Sequence, residues 1–592
     1  MAVPAILLLL ITTFGALLRV DVFVQRYGTL DHPLWAKVLT QDLAPIVGRL
    51  HPSPYHWYRV EHPYVGGDPI NYIKYAREMR SFYQAHVREP VFLALTRAYL
   101  WALADQDVAV SFASMTGSIL TIVAVYLLGT ALLSRAAGVV LSLLVAIEYE
   151  LISWSVDGWR DDLFMAMVTF SAWAFVRCQR DPSLRNAGLV GITTGIACLT
   201  RITALSFVLI ALGWLFVDGR AESRRQMVKA AGAAAAVCTI IVAPYLISCA
   251  LATGDPFYAI NYHTVYYRHG EGLPSDKPMG ALSYIASKIN GRPVAALDTG
   301  ITGLFVRPFT TKWTGLDGWI PGTSRVLSSL SIIGLLRWAF LPEGRMMLIV
   351  LIGSLLPYGW TWNIAGGSEW RFTMHAYPIY FAASVTGASF CWQLAHGLWR
   401  RPAWPDIAIA RTWALRWMGG AVVIAAVTVA YLSMPWFVVR ETIAAGTDVS
   451  VETGSRDGTF FGAGWSQPYS DGLTFRVTRA DRAVVRLPLP KQRTYQLVLR
   501  LDPIAPDRQH RAVVLLNRQL LATLLLTWNP ERVGSYPLLL PADKVRVGMN
   551  ELTIVPDTLV PAGSVRFRYP SKDANDRLGV RLWHVRVLAS AD

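Results

Sequence analysis

Long apolar runs decide what this chain can fold into. Val108–Leu133, Gly188–Val217 and Ala230–Ala250 each reach or exceed the roughly 20 residues an α-helix needs to cross a ~30 Å hydrocarbon layer. The 592 residues are 53% hydrophobic and only 16% charged, where a soluble chain would be about a quarter charged. The broad class is therefore a multi-span membrane protein.

The net charge of +15 raises the question of nucleic acid, and the placement of the charges excludes it. Basic residues gather in short loops between the apolar runs: Arg177, Arg180 and Arg185; Arg220, Arg224, Arg225 and Lys229; Arg337 and Arg345; Arg400, Arg401, Arg411 and Arg416. Such loops are the cytoplasmic side of a polytopic chain. The five cysteines, Cys178, Cys198, Cys238, Cys249 and Cys391, all fall in or at the ends of predicted spans. The loops and tail thus have no disulfide framework and no thiolate metal site.

About eleven spans are expected, at 2–19, 107–133, 136–153, 161–177, 186–200, 203–217, 230–251, 326–341, 346–362, 372–397 and 417–438. Ala2–Leu18 has neither a basic n-region nor a small-residue cleavage site, and is read as an uncleaved anchor. Arg19 on its outer flank departs mildly from the charge rule. With the amino terminus inside, every basic loop lies in the cytoplasm. Segments 20–106, 252–325 and 363–371 and the tail from about 440 then lie outside. Residues 1–440 form the helical membrane domain and 441–592 an all-β sandwich. In the tail, short alternating stretches (473–478, 483–489, 495–501, 512–516, 520–526, 552–555 and 580–587) are spaced by Gly, Pro, Asn and Asp. Leu516–Leu520 reads as a hairpin turn.

Ionisable residues at the edge of a membrane are costly, which marks them as candidates for function. Asp68 precedes Pro69 and fits the N-cap of a helix. Capping alone explains it as well as chemistry does. Asp161 and Asp162 open a span, with Asp157 one turn before. One acid there would serve the helix dipole; two adjacent ones exceed that need. Glu369 and Arg371 form a third group, open to a simple mutual pair. None has metal-ligand spacing, and no His cluster accompanies them. Arg88, Arg268, Arg292, Arg307 and Arg371 are the outer basic candidates, and guanidinium suits bidentate capture of phosphate. Arg88 is equally open to snorkelling at the interface. Arg201 is read as marking the turn between two short spans.

Taken in order, these motifs resemble the GT-C glycosyltransferases, in particular bacterial relatives of the protein O-mannosyltransferases and of the lipid A aminoarabinose transferase. The resemblance runs over about residues 1–400. It is carried by Asp68 with the helix Tyr72-Ile73-Lys74-Tyr75-Ala76-Arg77-Glu78-Met79, by Arg88-Glu89-Pro90-Val91-Phe92 and by Arg160-Asp161-Asp162-Leu163-Phe164. Gly195 through Thr200-Arg201, and Glu369-Trp370-Arg371-Phe372 with Pro378, complete it. The chain departs from the family in having one Pro where a pair is usual after Arg88, and no second acid beside Asp68, which leaves the sugar open.

The resemblance implies transfer of a sugar from a polyprenyl-phosphate carrier on the extracytoplasmic face, by a single inverting displacement. Asp68 would be the general base, in a setting where partial desolvation favours proton uptake. Arg88 and Arg371 would hold the departing phosphate. Asp161 and Asp162 would orient acceptor or sugar, or help hold a divalent cation such as Mg or Mn. Tyr72, Lys74 and Glu369 are the expected substrate contacts. The acceptor is a glycan, a lipid or a protein, and segment 51–66 is expected to fold over the site. The setting implied is the bacterial inner membrane, with the tail on the periplasmic or extracellular side. The tail separately resembles a jelly-roll carbohydrate-binding-like module, in which Trp465, Trp528 and Trp583 either stack on sugars or pack inside. Two other readings are a transporter or flippase of lipid-linked sugars, which would place charges near the midplane, and a non-catalytic scaffold presenting a glycan-binding domain.

Overall fold

The structure, a computed structural model, describes residues 2–27, 68–217, 224–270, 278–289, 293–301, 322–359, 370–400, isolated positions between 426 and 438, and 449–589 with short gaps. Segment 51–66, most of the expected span 417–438, Glu369 and Trp528 lie outside the described residues, as does the side chain of Arg371. The chain divides into two compact units, the first built from 1–284, 301–361 and 370–404 and the second containing all the strands.

The first unit is helical. Its helices are α1 (Ala2–Tyr27), α2 (Asp68–Glu78), α3 (Pro90–Ala102), α4 (Ala109–Leu132), α5 (Arg135–Ile147), α6 (Tyr149–Ser155) and α7 (Asp161–Arg180). There follow α8 (Leu184–Thr200), α9 (Leu205–Val217), α10 (Arg224–Thr253), α11 (Tyr258–Gly270), α12 (Thr323–Ala339), α13 (Pro342–Gly359) and α14 (Tyr377–Arg400). Short 3-10 turns, Ile202–Ala204 and Trp370–Ala376, precede α9 and α14.

Among the described residues three helical stretches are long and apolar enough to cross a bilayer: Val3–Val24, Ala109–Leu132 and Arg224–Thr253. The number rises to five if the bent pairs α5–α6 (57°) and α12–α13 (117°) each count as one. Helix length therefore does not establish eleven crossings. The expected run 136–153 is broken at Glu148, whose φ −67° and ψ 116° are extended.

Local chemistry places these ends. Ser134 and Ser183 cap α5 and α8 by accepting from the N–H groups of Ala137 (3.2 Å) and Asn186 (3.4 Å). Pro90 occupies the first turn of α3, where a missing N–H costs nothing. Small residues then let backbones touch, as is usual between membrane helices. A Cβ on Gly117 of α4 would lie 2.4 Å from the Leu163 backbone N in α7. One on Gly334 of α12 would meet the Ala383 carbonyl of α14 at 1.8 Å. The first of these approaches brings the α4 serines against the acidic start of α7.

Among the described residues the second unit contains two large antiparallel sheets and a small two-stranded one made of β10 (Val560–Pro561) and β11 (Arg577–Leu578). One has the order β2 (Tyr469–Asp471), β3 (Leu473–Val477), β12 (Val580–Ala589), β5 (Tyr495–Pro503), β8 (Gly534–Leu540), with β1 (Val449–Glu452) also on β12. The other runs β4 (Ala483–Leu489), β9 (Gly548–Pro556), β6 (His510–Leu516), β7 (Gln519–Leu526). From β3 to β9 the chain crosses from one sheet to the other at every step except the β6–β7 hairpin, an order compatible with the jelly-roll expectation. Val485, Leu487, Leu497, Leu499, Val514, Leu552 and Leu582 join both sheets in one buried core. The expected hairpin turns on Asn517 and Arg518, at φ 51° and 70°. Trp465 and Trp583 spend their indole N–H groups internally, on the Val484 carbonyl and the Asp502 carboxylate, each at 2.9 Å.

Candidate active site

The site is built at the start of α2 and the turn before α3. Asp68 is the first residue of α2, followed by Pro69. Arg88 Nη2 donates to Asp68 Oδ1 at 2.6 Å, with 26% of the Asp68 side chain and 11% of the Arg88 side chain exposed. The guanidinium lies 5.7 Å from the centre of the Tyr72 ring, and its buried Nε makes no hydrogen bond to the described residues. At the far end of α2, Arg77 fixes the helix to the turn before α4, donating to Asp105 Oδ1 and Asp107 Oδ1 at 2.9 Å and to the Asp105 carbonyl at 2.7 Å. The motif arginine Arg77 thus has a structural task.

Glu89, next in the chain, turns inward. It is paired with Arg160 and accepts the Ile202 N–H at 2.7 Å. Arg160, Asp161 and Asp162 each reach a different segment. Arg160 goes to Glu89 at the head of α3. Asp161 meets Arg201 at 2.5 Å, and Asp162 accepts from Ser114 Oγ of α4 at 2.8 Å. All of Glu89, Arg160, Asp161, Asp162 and Arg201 are buried. Asp68, Glu89 and Asp161 thus match Arg88, Arg160 and Arg201 one for one. Further along α4, Ser118 Oγ accepts from Arg19 Nε at 2.9 Å, and Arg19 Nη1 donates to the Gly15 carbonyl at 2.9 Å. The arginine that departs from the charge rule is a buried, hydrogen-bonded part of the bundle.

Arg201 also lies among rings. Its guanidinium carbon is 4.9 Å from the centre of Phe372, 5.2 Å from Tyr358 and 5.7 Å from Phe164. Tyr358 and Phe372 are parallel to within 4° at 5.8 Å, and the Tyr358 hydroxyl bonds Thr203 Oγ1 at 2.6 Å.

Of the expected substrate contacts, Tyr72 is fully buried against Phe92. Burial first and the Asp68 charge second push its hydroxyl pKa up to about 12. Lys74 is exposed and 4.0 Å from Glu78. A small pocket lined by Tyr75, Met79, Gln84, His86, Arg88 and Leu93, among others, shares Arg88 with the Asp68 pair. Among the described residues no three His, Cys, Asp or Glu side chains converge on a point that would hold a metal ion. Asp161 is paired with Arg201, and Asp162 accepts from Ser114.

His86 titrates with this turn. Its Nδ1 accepts the Arg88 N–H at 3.2 Å, and burial first, then the Arg88 charge, lower its pKa. The unfolded turn takes up a proton near pH ~6.5 while the folded one resists until the pH is lower. Stability is therefore complete above that value and is lost as pH falls through the folded pKa. Amide exchange at Arg88, corrected for its intrinsic rate, should accelerate below about pH 6.5. His86→Asn should flatten that dependence, and protection that ignores pH in the unaltered protein rules the linkage out.

A polytopic helical unit with a buried charge lattice at one end of several helices, followed by an antiparallel β unit, defines the class: a multi-pass membrane protein. Residues 88–247, the stretch that carries Arg88, Glu89, Arg160–Asp162 and Arg201, match the family described as dolichyl-phosphate-mannose-protein mannosyltransferase. The GT-C resemblance is borne out over that stretch; Asp68 and Arg371 lie outside it.

No curated protein sequence matches the chain. Among solved structures it is similar to the oligosaccharyltransferase AglB of Archaeoglobus fulgidus in complex with an inhibitory peptide and a dolichol-phosphate, at 13% identity and TM-score 0.38, covering 73% of this chain and 56% of that one. The apo form of the Archaeoglobus fulgidus oligosaccharyltransferase gives 14%, 0.39, 72% and 55%. The arabinosyltransferase EmbB of Mycobacterium smegmatis gives 12%, 0.22, 94% and 67%. The chain thus spans little more than half the length of the oligosaccharyltransferases it matches, and these likenesses are distant.

Proposed function

We propose that the chain is a membrane glycosyltransferase that moves a sugar from a polyprenyl-phosphate carrier to an acceptor on the extracytoplasmic face, by one inverting displacement. The observation that supports this most is the pairing of a part-exposed carboxylate, Asp68, with Arg88, whose buried Nε still has a hydrogen to donate. Asp68 takes the proton of the acceptor nucleophile as that nucleophile attacks the anomeric carbon. The bond to the carrier oxygen breaks, and its electron pair leaves with the phosphate. Arg88 and Arg371 meet the charge that develops there.

An in-line displacement puts nucleophile and leaving oxygen on opposite sides of the anomeric carbon. Asp68 and Arg88 therefore have to part when the donor enters, and the phosphate replaces the carboxylate as the partner of Arg88. Asp161 and Asp162 act in this reading as positioning residues, since their carboxylates are committed to Arg201 and Ser114. Tyr72 supports Arg88 from below its guanidinium, while Lys74 and Glu369 are left to contact sugar or acceptor. The setting is the bacterial inner membrane, with the β unit on the periplasmic or extracellular side.

The test is consumption of polyprenyl-phosphate sugars by the purified protein in nanodiscs, with a mixed glycan, lipid and protein extract as acceptor. Release of polyprenyl phosphate with labelling of the acceptor supports the reading. A panel of such donors left intact sinks it in favour of transport or scaffolding.

A further inference from the structure

We infer that Arg201 is a positioning residue: from the break between α8 and α9 it holds the turn Trp370–Ala376 in register with the Arg88–Glu89 turn, and so spaces the two arginines assigned to the carrier phosphate. The inference rests on the proposed function for what those arginines bind.

Three consecutive residues at this break face three different parts of the unit. Arg201 pairs with Asp161 of α7 and lies over Phe372. The Ile202 N–H is held by Glu89. Thr203 bonds the hydroxyl of Tyr358, whose ring is parallel to Phe372. A turn between helices needs none of this. A buried guanidinium is costly to desolvate, and here the cost is offset by one carboxylate and three aromatic faces.

The consequence follows from chain connectivity. Arg88 adjoins Glu89, and Arg371 adjoins Phe372. Neighbouring Cα atoms sit about 3.8 Å apart across a planar peptide. Whatever fixes Glu89 and Phe372 to the same three residues therefore fixes the separation of the two arginine backbones. A planar, delocalised cation is required, because only a guanidinium pairs with a carboxylate at its edge while stacking rings on its face.

The experiment titrates polyprenyl phosphate alone onto the protein in nanodiscs. It compares wild type with Arg201→Lys, which keeps the charge, and with Phe372→Leu, which keeps Arg201 and Asp161 and removes one ring. Val190→Ala, which thins the buried face of α8 away from the lattice, controls for lost stability. Both test variants should bind about tenfold more weakly, the size a desolvated cation–π contact can carry. Together they should do little more than either alone, because they disable one device. Val190→Ala should bind as wild type does.

If Arg201→Lys and Phe372→Leu bind as tightly as wild type, the positioning role is wrong and the proposed function stands. Equal weakening in Val190→Ala reduces Arg201 to a structural residue. Failure of the wild type itself to bind removes the reading on which the inference rests, and the inference with it.

Discussion

Asp68→Asn is expected to lower kcat for sugar transfer by about a hundred- to ten-thousand-fold, the range for loss of a general base, with the fold retained. The substitution separates the two roles open to this residue. Asparagine caps a helix about as well as aspartate, so if Asp68 only begins α2 the change is silent. As a base it has no substitute, because an amide does not accept a proton at neutral pH. The pair with Arg88 adds a second signature. In the empty site the carboxylate competes with the incoming phosphate for the guanidinium at 2.6 Å, and the amide competes less. KM for the lipid-linked donor should therefore stay level or fall while kcat collapses, whereas loss of a contact that only binds substrate would raise KM and leave kcat unchanged. Initial rates over a range of donor concentrations give both quantities. An Asn variant with wild-type kcat would place the base elsewhere.

Much of this was legible locally. Asp68 followed by Pro69 announced the start of α2, and an Asn-Arg pair between two alternating runs announced the β6–β7 hairpin. The signals that misled were also local. Gly534–Leu540, which carries Pro537, is not among the alternating stretches read as strands, yet it forms β8 at the edge of its sheet, where a proline need not donate. The run 136–153 is apolar enough for one span, and nothing in its periodicity shows that Glu148 breaks it.

The site was less legible because its contacts join residues far apart in the chain. In the sequence Arg201 reads only as the turn between two short spans, because its partner Asp161 is 40 positions away and Tyr358, which holds Thr203, is 155 positions from it. Glu89 stood out only as the neighbour of Arg88. Its role depends on Arg160, 71 positions on. Arg19 looked like a fault in the charge pattern because hydropathy registers a charge and not the Ser118 hydroxyl that receives it.

That dependence on distant partners makes the Glu89–Arg160 pair the place where stability should respond most. Arg160→Met leaves the Glu89 carboxylate buried, 4% exposed and without its counter-charge. Breaking such a pair on one side costs about 3–5 kcal/mol, so the thermal midpoint of the detergent-solubilised protein should fall sharply. Adding Glu89→Gln to Arg160→Met removes the stranded charge and keeps a carbonyl oxygen for the Ile202 N–H. The double variant should therefore unfold near the wild-type midpoint. Its transfer rate should stay depressed, because Arg160 acts on Asp68 and Asp161 through its charge as well as holding Glu89, and methionine supplies none. A double variant as unstable as the single one would show that charge matching is not what holds α3, α7 and the 202–204 turn together. Recovery of both midpoint and rate would confine Arg160 to the fold.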